Sequence, residues 1–305
     1  MGTTAEGARV GEELKIRVGV APAPGTGPAE FAGLAETLEA AGIDSLWLSE
    51  LVYAPEVDPL IGMAHALART TSLKVGTGVA ILPGRHPVLV AKQLVTLAGL
   101  APKRVLPVFG LRPANAAEHA LFPVPGPRAA VFDEALTLLR LLLEQDDVHF
   151  AGEFYQVDGV TIGPRPAKRL DVWLGGSAPA ALRRAGRLSD GWLGSFHSPE
   201  QARAARIAIQ DAAAEAGREI EPDHFGLSLL VASEGMPDRM LEVAAKRRPG
   251  TPVTELVATS WAEARRLLEQ HIDAGLSKFV IRPGHSGDYR RFLDGLHREL
   301  LPLQN

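Results

Sequence analysis

The sequence predicts an α/β fold, a (β/α)8 TIM barrel with an insertion after strand 4. Short runs rich in β-branched and aromatic residues alternate with amphipathic stretches of helical spacing along nearly the whole chain. Eight such strand–helix pairs can be traced, as a barrel of this type requires. The length of 305 residues suits either one such barrel or two ordinary domains.

The domain organisation follows from the same pattern. No Gly-, Ser- or Pro-rich linker interrupts the middle of the chain, so we expect one domain over residues 15–305, preceded by a flexible leader of residues 1–14. The insertion covers about residues 111–170. A doubly wound open sheet is the alternative fold, because alternation of strands and helices alone does not distinguish it from a barrel.

Four strands are predicted in the first part of the chain, and helices follow the first three. Gly42 marks a helix end, and Pro59 directly after Asp58 marks a helix start. The predicted strands are Ile16–Val20, Ser45–Leu48, Leu73–Ile81 and Arg104–Phe109. The predicted helices are Phe31–Ala41, Pro59–Thr70 and Val88–Leu100.

About sixty residues separate the fourth strand from the fifth. They contain, in order, a Pro- and Gly-rich loop over Arg112–Pro127, a helix over Ala129–Glu144 and a hairpin of Val148–Phe150 with Phe154–Ile162. We expect this insertion to form a lid or a wall.

The second half returns to the strand–helix rhythm. Ser198-Pro199-Glu200 is a strong helix start, because it combines a capping hydroxyl, a proline in the first turn and an acid near the positive helix end. The predicted strands are Asp171–Leu174, Gly191–Leu193, His224–Ala232 and Lys278–Ile281. The predicted helices begin at Ala178 and Pro199 and cover Asp238–Lys246, Trp261–Ala274 and Asp288–Leu300.

Composition excludes several classes of function. A formal net charge of −4 gives no electrostatic attraction to nucleic acid. The absence of cysteine excludes disulfides, thiolate catalysis and Cys-based zinc sites. No apolar run is long enough for a membrane span, and the first residues lack the apolar core of a signal peptide, so we expect a cytoplasmic protein. The nine histidines show no metal-ligand spacing, so no metal site is predicted.

In a barrel, the loops after the strands carry the chemistry. Many polar residues in these loops are basic although the chain is acidic overall, which favours an anionic ligand over the barrel mouth. They are Ser49, Glu50, Tyr53, Arg85, His86, Arg112, Asn115, His119, Ser195, His197, Arg282 and His285.

Two glycine-rich stretches stand out. Gly175-Gly176-Ser177 follows a strand and opens a helix, so its backbone amides and the positive helix end would favour a phosphate, with Ser177 as cap or donor. A simple tight turn is the alternative. Gly76-Thr77-Gly78 lies inside a strand, where glycine indicates a bulge, a close approach to another group or packing of small residues.

Four passages resemble the luciferase-like monooxygenase superfamily, and within it the deazaflavin (coenzyme F420)-dependent oxidoreductases. The resemblance covers about Lys15–Leu301, and its most specific passage is VWLGGSAPAALRRAGRLSDGW at Val172–Trp192. The other passages are Leu38–Glu50, Leu73–Leu82 with His86-Pro87 and Thr96–Arg104, and Phe150–Pro166.

The resemblance implies a cofactor site. A non-proline cis peptide that backs the flavin ring would fall at Gly78–Val79, and the phosphate would lie on Gly175, Gly176 and Ser177. Gly110, Leu111 and Arg112 would line the polyol and the ring. The chain departs from the family at Leu51, where a histidine is common, at Lys103-Arg104, where Gly-Arg is usual, and at the end of the fourth strand.

We therefore expect hydride transfer between coenzyme F420 and a small organic substrate, in which the cofactor does the chemistry. Proton-donor candidates by location are Glu50, His86, His119 and His197. The alternatives are an FMN-dependent monooxygenase supplied by a separate flavin reductase, a catalytically degenerate flavin-binding protein, and an unrelated barrel that binds a sugar phosphate. The resemblance also implies a homodimer.

Overall fold

The computed structural model describes residues 14–233, 235, 238–286 and 288–305, with the backbone alone for residues 238–240. Most of the expected leader lies outside the described residues. Its last residue, Leu14, packs against the core and accepts a hydrogen bond from Asn305 Nδ2 at 3.0 Å.

A single parallel sheet closes on itself and forms the barrel. Its strands are β1 Arg17–Val20, β2 Ser45–Leu48, β3 Lys74–Thr77, β4 Ala80–Ile81, β5 Val105–Leu106, β6 Val108–Gly110, β9 Trp173–Gly175, β10 Gly191–Ser195, β11 Phe225–Val231, β12 Val257–Ala258 and β13 Lys278–Pro283. The two remaining strands, β7 Val148–Ala151 and β8 Gln156–Val160, form a separate hairpin. The pairing runs β4-β6-β9-β10-β11-β13-β1-β2-β3-β5, with β12 beside β11.

Closure depends on two interrupted barrel strands. β3 and β4 are halves of the third barrel strand, and β5 and β6 are halves of the fourth. The lower halves pair at Val75↔Val105 and the upper halves at Ala80↔Phe109. Both ends of the pairing order are therefore the same two barrel strands, and the described chain forms a closed eight-stranded barrel. The barrel predicted from the sequence is confirmed, and the open sheet is not observed.

The helices are α1 Pro28–Phe31, α2 Leu34–Ala40, α3 Pro59–Arg69, α4 Pro87–Leu100, α5 Arg128–Glu144, α6 Pro179–Leu188, α7 Pro199–Glu215, α8 Asp238–Arg247, α9 Trp261–Asp273 and α10 Tyr289–Glu299. Short 3-10 turns cover Ala116–Leu121, Val253–Glu255 and Leu301–Leu303. The predicted start of α7 is confirmed: Ser198 and Gln201 form a reciprocal capping box at 3.1 and 3.2 Å.

The predicted insertion contains one of the barrel's own helices. α5 packs between α4 and α6 and thus takes the position of a barrel helix. The loop before it and the antiparallel hairpin β7–β8 after it are the additions to the barrel. Glu134 on α5 holds this hairpin, since its carboxylate accepts hydrogen bonds from the amides of Glu153, Phe154 and Tyr155 at 2.7–2.9 Å.

The core has two layers that follow the alternation of side chains along each strand. The larger cluster joins the outward faces of the strands to the helices and contains residues from Ile16 to Leu300. A smaller cluster fills the barrel interior and includes Trp47, Val108 and Trp173. This inner layer lies between the two ends of the barrel.

Candidate active site

A cavity of about 600 Å³ lies at the carboxyl ends of the barrel strands. It has the size of a small-molecule site, at the end where such barrels place their chemistry. Thirteen of the residues predicted from the sequence line it: Ser49, Glu50, Gly78, Val79, Gly110, Leu111, Arg112, Gly175, Gly176, Ser177, Ser195, His197 and Arg282. From the expected lid or wall, only Leu111–Ala114 and Phe132 are among the lining residues.

The turn after β9 presents free backbone donors to this cavity. Gly176 has a φ of +118°, a conformation that a side chain would strain, and its carbonyl accepts a hydrogen bond from Trp192 Nε1 at 2.9 Å. The amides of Ser177 and Ala178 have no hydrogen-bond partner within the described chain. With the positive end of α6 directly behind them, these amides are suited to an anion.

Of the two roles expected for Ser177, cap or donor, the cap is not observed. The N-cap of α6 is Ala178, which supplies no side-chain hydrogen bond, because the helix begins only at Pro179. Ser177 therefore lies outside the helix, exposed at the cavity. Its hydroxyl is available to a ligand rather than to the helix.

The third barrel strand is interrupted at the bond expected from the resemblance. The peptide between Gly78 and Val79 is cis. The Val79 side chain fills the space above two glycines: a Cβ on Gly110 would come within 2.7 Å of it, and a Cβ on Gly175 within 3.0 Å. Glycine at these strand ends thus lets Val79 lie flat in the cavity floor.

The cavity is strongly basic. Its described lining contains five arginines and one carboxylate, that of Glu50. The arginines are Arg112, Arg184, Arg247, Arg248 and Arg282. Because Arg184 pairs with Asp133 and Glu50 pairs with Arg85, the remaining positive charge is available to an anionic ligand.

Arg282 is half-buried and reaches the cis peptide. Its guanidinium donates to Ser228 Oγ at 2.5 Å, Ser49 Oγ at 3.0 Å and the Gly78 carbonyl at 2.7 Å. No carboxylate pairs with it in the described chain, and burial lowers its pKa to about 10. It remains charged at neutral pH and fixes the carbonyl beside the cis peptide.

Glu50 is 5% exposed and fully engaged. One carboxylate oxygen accepts from the Ile81 amide at 2.6 Å and from Arg85 Nη1 at 2.9 Å, and the other accepts from Arg85 Nη2. All of these partners are donors, so the carboxylate acts as an acceptor. This geometry fits an anchor between β2 and β4 better than a proton donor.

His197 is 4% exposed and packs edge-on against Trp192, with ring centroids 5.1 Å apart. Burial, and then the charge of Arg248, lowers its pKa to about 3. Arg248 Nη2 lies 2.5 Å from Nε2, so Nε2 is the acceptor and the proton is on Nδ1. His197 is therefore a neutral ring at the cavity wall.

The structure places the other two predicted histidines away from the cavity lining. His86 caps α4, with Nδ1 accepting from the Val88 amide at 3.3 Å, and its ring contacts Tyr155. His119 lies in the 3-10 turn, with Nε2 3.3 Å from the Pro113 carbonyl. Both follow strands along the chain, but each is held by local backbone contacts.

Two arginines that line the cavity were not among the residues predicted from the sequence. Arg247 is the last residue of α8 and Arg248 follows it, and because basic side chains at a helix end also suit the helix dipole, their position gave no distinct signal. Arg282 was among the polar residues expected over the barrel mouth, and it lines the cavity. The eighth strand extends to Pro283, so Arg282 follows Lys278 and Val280 at a spacing of two on the inward face.

The described part of the chain contains neither a metal-binding cluster nor a membrane-spanning helix. No group of three or more His, Asp or Glu side chains is arranged to hold a metal ion. No described helix combines the length and the apolar character needed to cross a membrane.

Comparison with protein-family models gives a match to the luciferase-like monooxygenase family over residues 9–275. An F420-dependent glucose-6-phosphate dehydrogenase of Nakamurella multipartita is 31% identical, over 90% of this chain and 92% of its own length.

Solved structures share the fold. An F420-dependent secondary alcohol dehydrogenase in complex with an F420-acetone adduct superimposes with a TM-score of 0.80, at 18% identity, over 96% of this chain and 100% of its own. The oxygenating constituent of 3,6-diketocamphane monooxygenase from Pseudomonas putida, in complex with FMN, has a TM-score of 0.75 at 16% identity, over 96% and 99% of the two chains.

Proposed function

The chain belongs to the luciferase-like monooxygenase family, and from this we propose that it is an oxidoreductase that transfers a hydride between coenzyme F420 and a small organic substrate. The observation that carries the proposal is the 31% identity, over nine-tenths of the chain, to an F420-dependent dehydrogenase. The F420-dependent hydride transfer expected from the sequence agrees with the names of this relative and of the alcohol dehydrogenase that shares the fold.

The residues at the barrel mouth fit such a cofactor. The unpaired amides of Ser177 and Ala178, at the positive end of α6, suit its phosphate. Gly110, Leu111 and Arg112 would contact the polyol, and Gly78 and Val79 would lie beneath the ring. When bound, the deazaflavin supplies the hydride acceptor or donor.

The chain's own side chains hold and shape this site. Arg282 fixes the Gly78 carbonyl and places a buried positive charge beside it. Glu50 ties the ends of β2 and β4 together through the Ile81 amide and Arg85. His197, backed by Arg248, offers a neutral ring rather than a proton.

An FMN-dependent monooxygenase is the second candidate. The specific observation in its favour is that the same fold binds FMN in the 3,6-diketocamphane monooxygenase structure. FMN also bears a phosphate that the turn at Gly176 would accept. An FMN-dependent monooxygenase would require a flavin reductase as a partner to supply the reduced cofactor.

Turnover with F420 tests the proposal. We would follow the absorbance of oxidised F420 while the enzyme is incubated with secondary alcohols and sugar phosphates, and repeat the assay with FMN, a flavin reductase and oxygen. A loss of absorbance that depends on substrate supports the proposal. Formation of a product that requires oxygen, with FMN but not with F420, supports the second candidate. Cofactor binding without turnover across the panel would indicate a degenerate member.

We also propose a homodimer. Large apolar side chains are exposed near the mouth ends of α3 and α4: Ile61 is 70% exposed and Leu89 65%, with Val52 and Tyr53 nearby in the chain. A second copy would bury such a patch. Light scattering should give twice the chain mass, and Ile61→Lys with Leu89→Lys should give the monomer.

We further propose that residues 15–305 form one domain in the cytoplasm. One apolar cluster extends from Ile16 to Leu300, and a chain without cysteine has no need of an oxidising compartment.

A further inference from the structure

A second cavity of about 420 Å³ lies at the opposite end of the barrel, at the amino ends of the strands. Trp47 separates it from the mouth: the indole lines this second cavity, and the Trp47 Cβ is 3.7 Å from the position of a Cβ on Gly78. The described linings of the two cavities have no residue in common, so a ligand here and a ligand at the mouth would contact different residues.

The walls of this second cavity are aromatic and aliphatic. Trp47 and Trp173 are nearly buried, and the Trp173 ring lies 5.3 Å from that of His224, centroid to centroid. Leu106 and Phe279 add apolar surface. The only described polar contact of the Trp47 indole is its hydrogen bond to Ser45 Oγ at 2.9 Å. Flat indole rings beside small aliphatic groups favour a planar apolar ligand.

The rim of the cavity is basic. Its described lining includes six cations and two carboxylates, Asp44 and Asp171. Most of the cations are paired: Lys74 with Asp44 at 2.7 Å, Lys278 with Asp223 at 3.1 Å and Lys168 with Asp171 at 3.8 Å.

Lys103 differs from the other rim cations. It has no ion pair within the described chain, and it is exposed at the cavity edge. Its φ of +64° lies in the left-handed region, which glycine adopts far more easily than lysine. A strained, unpaired cation at the edge of an aromatic cavity is an arrangement that a bound anion would explain.

We propose that this end of the barrel is a second binding site, for a planar aromatic anion, in which Trp47 and Trp173 contact the ring and Lys103 holds the anionic group. The site is independent of the mouth. Its ligand class is a one- or two-ring aromatic carboxylate, because the cavity is smaller than the mouth and its free charge lies at one edge.

Calorimetric titration with 2-naphthoate, and with the neutral 2-naphthamide as the matched ligand, tests the proposal on the full chain. The carboxylate should bind more tightly than the amide. In Lys103→Gly, which removes the charge and relieves the backbone, affinity for the carboxylate should fall about fivefold, the size of one exposed ion pair, and reach that of the amide.

Two controls make the result specific. Asp147 also has a positive φ, of +54°, but lies in the turn before β7, so Asp147→Gly should leave naphthoate affinity unchanged. Saturation of the mouth with coenzyme F420 or FMN should also leave it unchanged. The proposal is overturned if naphthoate does not bind, if the Lys103→Gly variant binds it equally well, or if either cofactor displaces it.

Discussion

The turn after β9 makes the sharpest prediction about the cofactor site. In Gly176→Ala, a methyl group enters at φ +118° and comes within 2.9 Å of Ala181 Cβ. A side chain in this region of φ costs about 1–3 kcal/mol, so we expect a loss of unfolding free energy of that size. The turn can escape part of the strain only by rotating its peptides away from the cavity.

The same rotation should weaken binding of a phosphate. A hydrogen bond from a backbone amide to a charged oxygen contributes about 1.5–3 kcal/mol, so loss of one such bond should weaken cofactor binding roughly ten- to hundredfold. Urea unfolding measures the first effect, and titration of F420 fluorescence measures the second.

Gly217→Ala is the matched control. Gly217 also has a positive φ, of +67°, and nothing lies within 4 Å of its added Cβ. This variant should lose roughly 1–2 kcal/mol of stability and keep the wild-type cofactor affinity. If Gly176→Ala loses stability but binds F420 as the control does, the turn at Gly176 does not hold the phosphate.

Three further predictions concern other parts of the molecule. Arg282→Gln should weaken F420 binding at least tenfold. It should change the free energy of unfolding by no more than about 2 kcal/mol, because the cost of burying the Arg282 charge offsets much of what its hydrogen bonds contribute. Equal F420 affinity of the variant and the wild type in a titration would show that Arg282 does not contribute to the cofactor site. Asp190→Asn should cost about 3 kcal/mol in urea unfolding, because the buried Asp190 carboxylate accepts from three arginines, and an unchanged midpoint would contradict this. Burial lowers the pKa of His271 to about 4 and that of His197 to about 3. As the pH falls below 6.5, these two histidines therefore take up protons in the unfolded chain but not in the folded one. Because of this difference, the free energy of unfolding should drop by about 2–3 kcal/mol between pH 6 and pH 5. His271→Leu should halve that drop, and an unchanged pH slope in the variant would refute the assignment.

The fold was predictable because its signals are local. The strand Ser45–Leu48 and the start of α7 at Pro199 need only short windows of sequence, and both occur where expected. The third strand was predicted as continuous over Leu73–Ile81, yet it is broken between Thr77 and Ala80. Hydrophobic periodicity does not register the geometry of a single peptide bond; only the resemblance indicated the position of the cis peptide.

The site was predictable to the extent that chain order determines location. Residues directly after strands, such as Gly110 and Gly176, reach the mouth because the backbone places them there. His86 follows a strand in the same way, but its ring is the N-cap of α4. Arg248 meets His197 across 51 residues of sequence, a contact that no local pattern shows.

The most direct test of the account is a parallel titration of the purified protein with coenzyme F420 and with FMN, followed by fluorescence. The account predicts micromolar or tighter binding of F420, much weaker binding of FMN, and loss of F420 affinity in Gly176→Ala. Tight FMN binding with weak F420 binding would contradict the proposed cofactor. Failure of both to bind would show that the glycine turn at the barrel mouth is a structural turn only.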